Sequence, residues 1–326
     1  MTASKKSPES VYIGIDLGGA MLKGALVSAA GNILHETAAP AESQSPDQLL
    51  GQIVDLVQSL SAHKQAGGRG TAIGVGVPGL VNSKTNRIEI LPSLPDLTSL
   101  DLVAELSSKT GLPVTLDNDA NAATYGEFQM GASRGRKHVF YVSLGAGIGA
   151  GIIIDGAIYR GATGFAGEFG HITIDPEGIE CACGNIGCLE TICSGPNIVR
   201  RTRERLYRDR TSSLSRLAIP RNREVTAEDI ARAAREGDEM AQVMMERTGM
   251  FLGIALAAVI NLLNVEMIVM GGGVMEAGDL VLKPTVKETR RRAFPHSFNS
   301  CEIVIAKLGP SGGLIGAALL ARDSLG

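Results

Sequence analysis

Two stretches of the chain carry the same pattern of apolar and polar positions: an apolar strand, a turn rich in glycine, and a second apolar strand. The first covers residues 11–27 and the second covers residues 138–154. Apolar, β-branched runs bounded by glycine turns are typical of β-hairpins. A glycine-rich tip lets backbone N–H groups face a phosphate, so the repetition predicts a duplicated nucleotide-binding arrangement. A single hairpin of this kind would more often be a plain turn.

The segments between and after these hairpins predict an α/β fold. Apolar residues at spacings of three and four over residues 46–65 indicate an amphipathic helix, and residues 240–263 are apolar enough for a core helix. Residues 72–79 read as a buried strand that ends in a Pro-Gly turn at Gly79. Another strand is predicted over residues 264–270, and the three glycines after it either make a tight turn or let the backbone lie flat against a purine.

A further short strand, starting at Leu112, ends in the polar sequence Asp-Asn-Asp-Ala-Asn, which an Ala-rich helix start follows. Asn and Asp at such a position are good helix caps, and we expect one of them to be a cap. The carboxyl end of a strand is also where α/β folds place their chemistry. Asn118 and Asp119 are therefore candidates both for a cap and for a functional site.

Three of the five cysteines, Cys181, Cys183 and Cys188, lie within eight residues, and His171 precedes them. Three thiolates and one imidazole at this spacing suit a tetrahedral Zn²⁺ site, and Gly184 would let the backbone turn tightly around the metal. Four protein ligands leave no open position for water or substrate, so the zinc is predicted to be structural. The alternative is a reactive or incidental cysteine cluster.

Composition and charge limit the classes of function. The 326 residues are enough for two domains with separate cores, and the net charge of −3 argues against a nucleic-acid or membrane surface. The N-terminal residues are polar and lack the apolar core of a signal peptide, and no uninterrupted apolar run reaches the ~20 residues that span a bilayer. An odd number of cysteines with metal-type spacing fits a reducing compartment. We therefore expect a cytoplasmic protein.

The stretch from Glu168 to Glu190 resembles the signature of the ROK family, which comprises repressors, open reading frames and sugar kinases related to bacterial glucokinase. The shared pattern is Glu-x-Gly-His followed by Cys-x-Cys-Gly-x-x-Gly-Cys-x-Glu, and the residues Asn-Asp-Ala-Asn-Ala from position 118 are similar to the family's catalytic motif. The resemblance extends along almost the whole chain. It implies a two-domain α/β fold of the actin and hexokinase type (ribonuclease H-like), with nucleotide bound in a cleft between the domains.

The resemblance also implies how the chain is divided. Residues 1–120 and 308–326 are expected to form a small N-terminal domain, because the family's last helix returns to the first domain. Residues 121–307 are expected to form a larger domain that carries the zinc site. Members of the family are commonly dimers or tetramers, so a homo-oligomer is expected.

In activity, the resemblance implies ATP-dependent phosphorylation of a hexose at its 6-hydroxyl, with Mg²⁺ and a structural Zn²⁺. Asp119 would be the general base. The implied sugar-binding residues are Gly79, Asn118, Glu168, His171 and Glu190, and the zinc ligands are His171, Cys181, Cys183 and Cys188. The expected nucleotide-binding residues are Asp16, which could hold Mg²⁺ through water, with Gly18, Gly19, Lys23, Gly145, Ala146, Gly147, Gly271 and Gly272.

Two positions depart from the family's pattern. Kinases of the family usually have threonine where this chain has Ala20 and Ala146. Each missing hydroxyl removes a donor to phosphate, a bond of roughly 1.5–3 kcal/mol. A catalytically weak or silent hexose sensor is therefore an alternative. A DNA-binding repressor is not expected, because only about ten residues precede the first strand. The sequence does not choose among glucose, mannose, allose, N-acetylmannosamine and N-acetylglucosamine.

Overall fold

The computed structural model describes residues 10–18, 20–41, 45–66, 70–92, 94–208, 211–215 and 224–325. They form two compact units. The first contains the described residues up to Gly135, residues Gly151–Ala166, and those from Lys307 onwards, and the second contains Arg136–Ala150 and Gly167–Ala306.

The first sheet has the strand order β3-β2-β1-β4-β7 and consists of β1 (Val11–Leu17), β2 (Met21–Ser28), β3 (Ile33–Pro40), β4 (Gly70–Val77) and β7 (Val114–Asn118). A separate two-stranded sheet holds β5 (Leu80–Asn82) and β6 (Arg87–Ile90). β1 and β2 are antiparallel, which confirms the first predicted hairpin, whereas β1, β4 and β7 are parallel. The register pairs Asp16 with Gly76 and Val77 with Asn118. The ends of these three strands, and the polar residues on them, therefore lie at one edge of the sheet.

The second sheet has the order β10-β9-β8-β11-β12 and consists of β8 (Val139–Leu144), β9 (Ile148–Ile154), β10 (Ala157–Ile158), β11 (Met267–Gly271) and β12 (Glu302–Ile305). β8 and β9 enclose the second predicted glycine tip. β8, β11 and β12 are parallel. The strand predicted from residue 264 begins later, because Asn264 has a φ of 48° and ends the preceding helix in a left-handed conformation.

The helices of the first unit are α1 (Pro46–Ala62), α2 (Leu102–Thr110), α3 (Asp119–Met130) and α10 (Gly312–Asp323). α1 ends before the predicted residue 65, because His63 is extended. α10 packs against α3, β1 and β4. The packing with α3 is so close that a Cβ on Gly316 would lie 1.6 Å from the carbonyl oxygen of Ala122. α3 therefore belongs to the first unit, whereas the predicted domain boundary at residue 120 separates it from α10.

The helices of the second unit are α4 (Glu190–Cys193), α5 (Gly195–Leu206), α6 (Ala227–Arg235), α7 (Glu239–Leu263), α8 (Asp279–Arg292) and α9 (Pro295–Asn299). Short 3₁₀ turns lie at Lys64–Ala66, Pro95–Ser99, Phe169–His171, Gly273–Ala277 and Gly309–Ser311. Among the described residues, α7 alone is long and apolar enough to cross a membrane by length and composition. Most of it is buried, with Met240, Met244 and Met245 in the core, so α7 is the core helix that the sequence predicts.

Candidate functional site

The predicted metal ligands lie together in the second unit. One ligand atom from each of His171, Cys181, Cys183 and Cys188 lies within 4.8 Å of the other three. The Sγ atom of Cys181 is 3.6 Å from Nδ1 of His171, and the Sγ atoms of Cys183 and Cys188 are 3.7 Å apart. The cluster thus joins the 3₁₀ turn at Phe169–His171 to a loop that lies further along the chain.

These distances fit a tetrahedral zinc. With Zn–S near 2.3 Å and Zn–N near 2.0–2.1 Å, tetrahedral angles separate two sulfurs by about 3.8 Å and a sulfur from a nitrogen by about 3.6 Å. Both values agree with the measured separations. Burial raises the pKa of Cys188 to about 12 and also raises that of Cys181, whereas a hydrogen bond from the backbone N–H of Asn185 lowers the pKa of Cys183. A bound dication would ionise all three thiol ligands, including the two whose pKa burial raises.

Glycine backbone shapes the metal loop. Gly184 and Gly187 have φ values of 88° and 70°, which residues other than glycine rarely adopt. A Cβ on Gly187 would also lie 1.6 Å from the carbonyl oxygen of Asp175, so this position requires glycine. The N–H of Ile174 donates to the Gly187 carbonyl at 2.8 Å, which closes the loop beside the ligands.

The two nitrogens of His171 face different groups. Nδ1 points to the thiol cluster, whereas Nε2 lies 3.8 Å from Oε2 of Glu168. Burial raises the pKa of the Glu168 carboxyl, His171 opposes this shift, and the negative charge of Glu190 adds to it. One imidazole can therefore serve the metal with one nitrogen and a polar ligand beside Glu168 with the other.

Glu190 has a contact that sequence reasoning missed. Its Oε2 accepts a hydrogen bond of 2.8 Å from the backbone N–H of Ile148, the first residue after the second glycine tip. A Cβ on Gly147 would lie only 2.7 Å from the same oxygen. The N–H of Gly195 donates to the Gly145 carbonyl at 2.8 Å. The chain that follows the metal loop therefore holds the glycine tip at two points.

A cavity of about 830 Å³ opens beside this glycine tip, wholly within the second unit. Gly145 and Ala146 line it, together with Gly273, whereas Gly271 and Gly272 pack against Tyr141 and Leu144. Its apolar walls come from Pro196, Val199, Val225 and Val274. Two arginines of the lining pair with lining glutamates: Arg200 with Glu204 at 2.8 Å, and Arg203 with Glu224 at 3.3 Å. Its size and apolar walls suit a nucleobase.

The first glycine tip lies in the first unit. Asp16 and Lys23 are cross-strand partners, and the N–H of Gly18 donates to the Met21 carbonyl at 2.9 Å. Burial raises the pKa of the Asp16 carboxyl, and the charge of Lys23 opposes this shift. Gly19 lies outside the described residues. Ala20 is exposed at the tip.

Asn118 is the predicted cap. Its Oδ1 accepts from the N–H groups of Ala120 and Asn121 at 2.9 and 3.2 Å, and its Nδ2 donates to the Gly79 carbonyl at 3.0 Å. Because an amide oxygen has two lone pairs, only a second N–H of Nδ2 remains available to a ligand. Asp119, half-buried, is the first residue of α3, where the helix dipole favours a negative charge.

Two further residues near Asn118, Asp117 and Arg160, were not predicted from the sequence. Asp117 is 5% exposed, and its Oδ2 accepts from both Nε and Nη2 of Arg160, at 2.9 and 2.6 Å. Its Oδ1 accepts from the N–H of Asn118 and from Nδ2 of Asn121. The acidic character of the Asp-Asn-Asp sequence was visible, but nothing in the sequence paired Asp117 with an arginine so far along the chain.

Residues 12–324 match the ROK family. A glucokinase of Halalkalibacterium halodurans is 37% identical to this chain, and the match covers 96% of this chain and 95% of that protein. A xylose repressor of Bacillus subtilis is 30% identical, with 98% of this chain and 78% of the repressor covered.

A solved structure of a ROK family glucokinase from Streptomyces griseus, in complex with glucose and AMPPNP, is similar to this chain with a TM-score of 0.83 and 33% identity. The similarity covers 96% of this chain and all of that one. These matches confirm the predicted α/β fold of the actin and hexokinase type.

Proposed function

Because the chain belongs to the ROK family, we propose that it is a sugar kinase that transfers the γ-phosphoryl group of ATP to the 6-hydroxyl of a hexose. The comparisons with glucokinases support sugar kinase activity. The observation that carries the proposal is the contact of Glu190 with Ile148. It joins the end of the metal loop, where one of the expected sugar-binding carboxylates lies, to the glycine tip that lines the cavity suited to a nucleobase.

Four side chains would bind the sugar. Glu168 and Glu190 would accept hydrogen bonds from hydroxyl groups, and His171 would present Nε2 while Nδ1 serves the metal. Asn118 would donate through its remaining N–H, since its oxygen caps α3. Gly79 would act indirectly, because its carbonyl holds Asn118. Zn²⁺ would be held by His171 and the three cysteines and would order the loop that carries these groups.

In the proposed reaction, the carboxylate of Asp119 accepts the proton of the 6-hydroxyl as that oxygen attacks the γ-phosphorus, and ADP leaves. Backbone N–H groups of the two glycine tips would donate to the phosphates, and Asp16 would hold Mg²⁺ through water. Bound Mg²⁺ supplies charge neutralisation of the phosphate oxygens. Ala20 and Ala146 lack the hydroxyl donors of related kinases, so we expect slower turnover than in a relative that has threonines there.

The test is an Asp119→Asn variant in a coupled assay of ADP release, with glucose, mannose, allose, N-acetylmannosamine and N-acetylglucosamine as acceptors. General base catalysis contributes typically 10²–10⁴-fold, so kcat should fall by about that factor while the affinity for sugar stays within a few-fold. Unchanged turnover in this variant would remove Asp119 from the role of base.

The second candidate is a hexose sensor of the same fold, which the two alanines and the similarity to xylose repressors favour. A wild-type protein that binds glucose tightly but releases no ADP with any of the five sugars would support the sensor and reject the kinase. We expect the kinase to work in the cytoplasm as a homo-oligomer. Size-exclusion chromatography with light scattering would measure the oligomeric state.

A further inference from the structure

We propose that the ion pair between Arg160 and Asp117 is a positioning device for Asp119. The inference rests on the proposed kinase function and names two residues that the function does not itself require. Neither is assigned a contact with substrate. Both lie in the first unit, so the contact is formed within one compact part of the protein.

The pair has the geometry of a fixed contact. The side chain of Asp117 is 6% exposed and that of Arg160 is 34% exposed. Nε and Nη2 of Arg160 donate to the same carboxylate oxygen, at 2.9 and 2.6 Å. Charge-assisted bonds from the planar arginine fork are short and directional, and a lysine cannot reproduce them.

The second oxygen of Asp117 bonds to the residues on both sides of Asp119, to a backbone N–H on one side and to a side-chain amide on the other. It accepts a bond of 2.8 Å from the N–H of Asn118, at the end of β7, and a bond of 2.9 Å from Nδ2 of Asn121, in the first turn of α3. Asp119 lies between these two attachment points in the chain. The residues that flank Asp119 are therefore bonded to one buried carboxylate, and Arg160 donates to the other oxygen of that carboxylate.

The consequence for the proposed reaction is a precise placement of the base. A misplacement of about 1 Å can cost 10²-fold in rate while binding is little changed. Loss of the arginine fork should therefore reduce kcat more than it raises KM. Gly161, which follows Arg160, has a φ of 70°, so the backbone beside the arginine adopts a conformation that favours glycine.

The experiment compares Arg160→Lys, Arg160→Met and Asp117→Asn with a matched control, Arg87→Lys. Arg87 also donates to an aspartate of the first unit, at 2.7 Å, but that pair is exposed. We expect Arg160→Lys to lower kcat about tenfold or more, with KM for sugar and ATP within about threefold of wild type, and Arg160→Met to lower it further. Arg87→Lys should stay within about twofold of wild type.

A double-mutant cycle distinguishes positioning from a merely structural role. If Arg160 acts through Asp119, then Arg160→Lys should change the residual rate of an Asp119→Asn protein by less than about twofold. Additive losses would overturn the inference, as would a loss of kcat and sugar affinity in proportion to a lower melting temperature. Should Arg160→Lys fail to fold, the isosteric Asp117→Asn replaces it in the cycle.

The same measurements separate this inference from the proposed function. Full activity of Arg160→Lys beside an inactive Asp119→Asn protein would reject the positioning role and leave the kinase in place. Full activity of Asp119→Asn, or no turnover by the wild type, would reject the proposed base and this inference with it.

Discussion

Replacing Gly147 by alanine tests the contact between the metal loop and the second glycine tip. A Cβ at this position would lie 2.7 Å from Oε2 of Glu190, the oxygen that accepts from the N–H of Ile148. The carboxylate is the far end of a flexible side chain, so it can move away. In moving by roughly half an ångström it would lengthen the 2.8 Å bond beyond the range of a good hydrogen bond.

The expected cost follows from the bond that is lost. A hydrogen bond to a charged group contributes about 1.5–3 kcal/mol, and the buried N–H of Ile148 would lose its acceptor. At about 2–4 °C per kcal/mol, the melting temperature should fall by roughly 3–12 °C. If half of this free energy is also lost from the binding of sugar by Glu190, the Kd for glucose should rise about three- to twelvefold.

The chain offers a matched control at the same tip. A Cβ on Gly145 would meet nothing within 4 Å, so Gly145→Ala should change both quantities little. Melting curves and calorimetric titration with glucose, in the absence of nucleotide, measure the two effects without any contact between the new methyl group and a phosphate. Equal behaviour of the two alanine variants would refute the reasoning about Glu190.

Three further predictions address the metal, the packing and the pH dependence. Cys183→Ser should reduce the metal content below the expected value of about one zinc per chain, as measured by elemental analysis, and should weaken glucose binding, as measured by calorimetry. An unchanged affinity for glucose in a metal-free protein would contradict this role of the metal. Gly74→Ala would place a Cβ 1.8 Å from the Ala317 carbonyl oxygen, so the free energy of unfolding measured in urea should fall by about 1–3 kcal/mol or more. The control is Gly51→Ala in α1, where a Cβ meets nothing within 4 Å and the free energy of unfolding should rise by up to ~1 kcal/mol. Glu288 forms ion pairs with Arg291 and Arg292, which lower the pKa of its carboxyl from 4.5 to about 2. The contribution of Glu288 to stability should therefore be complete above pH 4.5 and lost as pH falls towards 2. Melting temperatures should then decline less steeply with acid in Glu288→Gln, and parallel curves would argue against the ion pairs.

Features that depend on neighbours in the chain could be predicted from the residues alone. The alternation of apolar runs and glycines predicted both hairpins, since strand period and turn chemistry are local properties. The cysteine spacing predicted a cluster that the structure brings within 4.8 Å, because a short loop leaves few ways to arrange its thiols. The prediction that one of Asn118 and Asp119 caps a helix was likewise local, and Asn118 is that cap.

Contacts between distant parts of the chain depended on the tertiary structure. The bonds from Arg160 to Asp117 and from Ile148 to Glu190 each join segments about 40 residues apart, as their sequence separations of 43 and 42 show. No local pattern specifies such partners, because they follow from the pairing of strands and the packing of helices. The packing of α3 against α10 depended on the tertiary structure for the same reason, and the predicted boundary at residue 120 does not take it into account. Glycine permits the close contact between these two helices, and no spacing in the sequence reveals it.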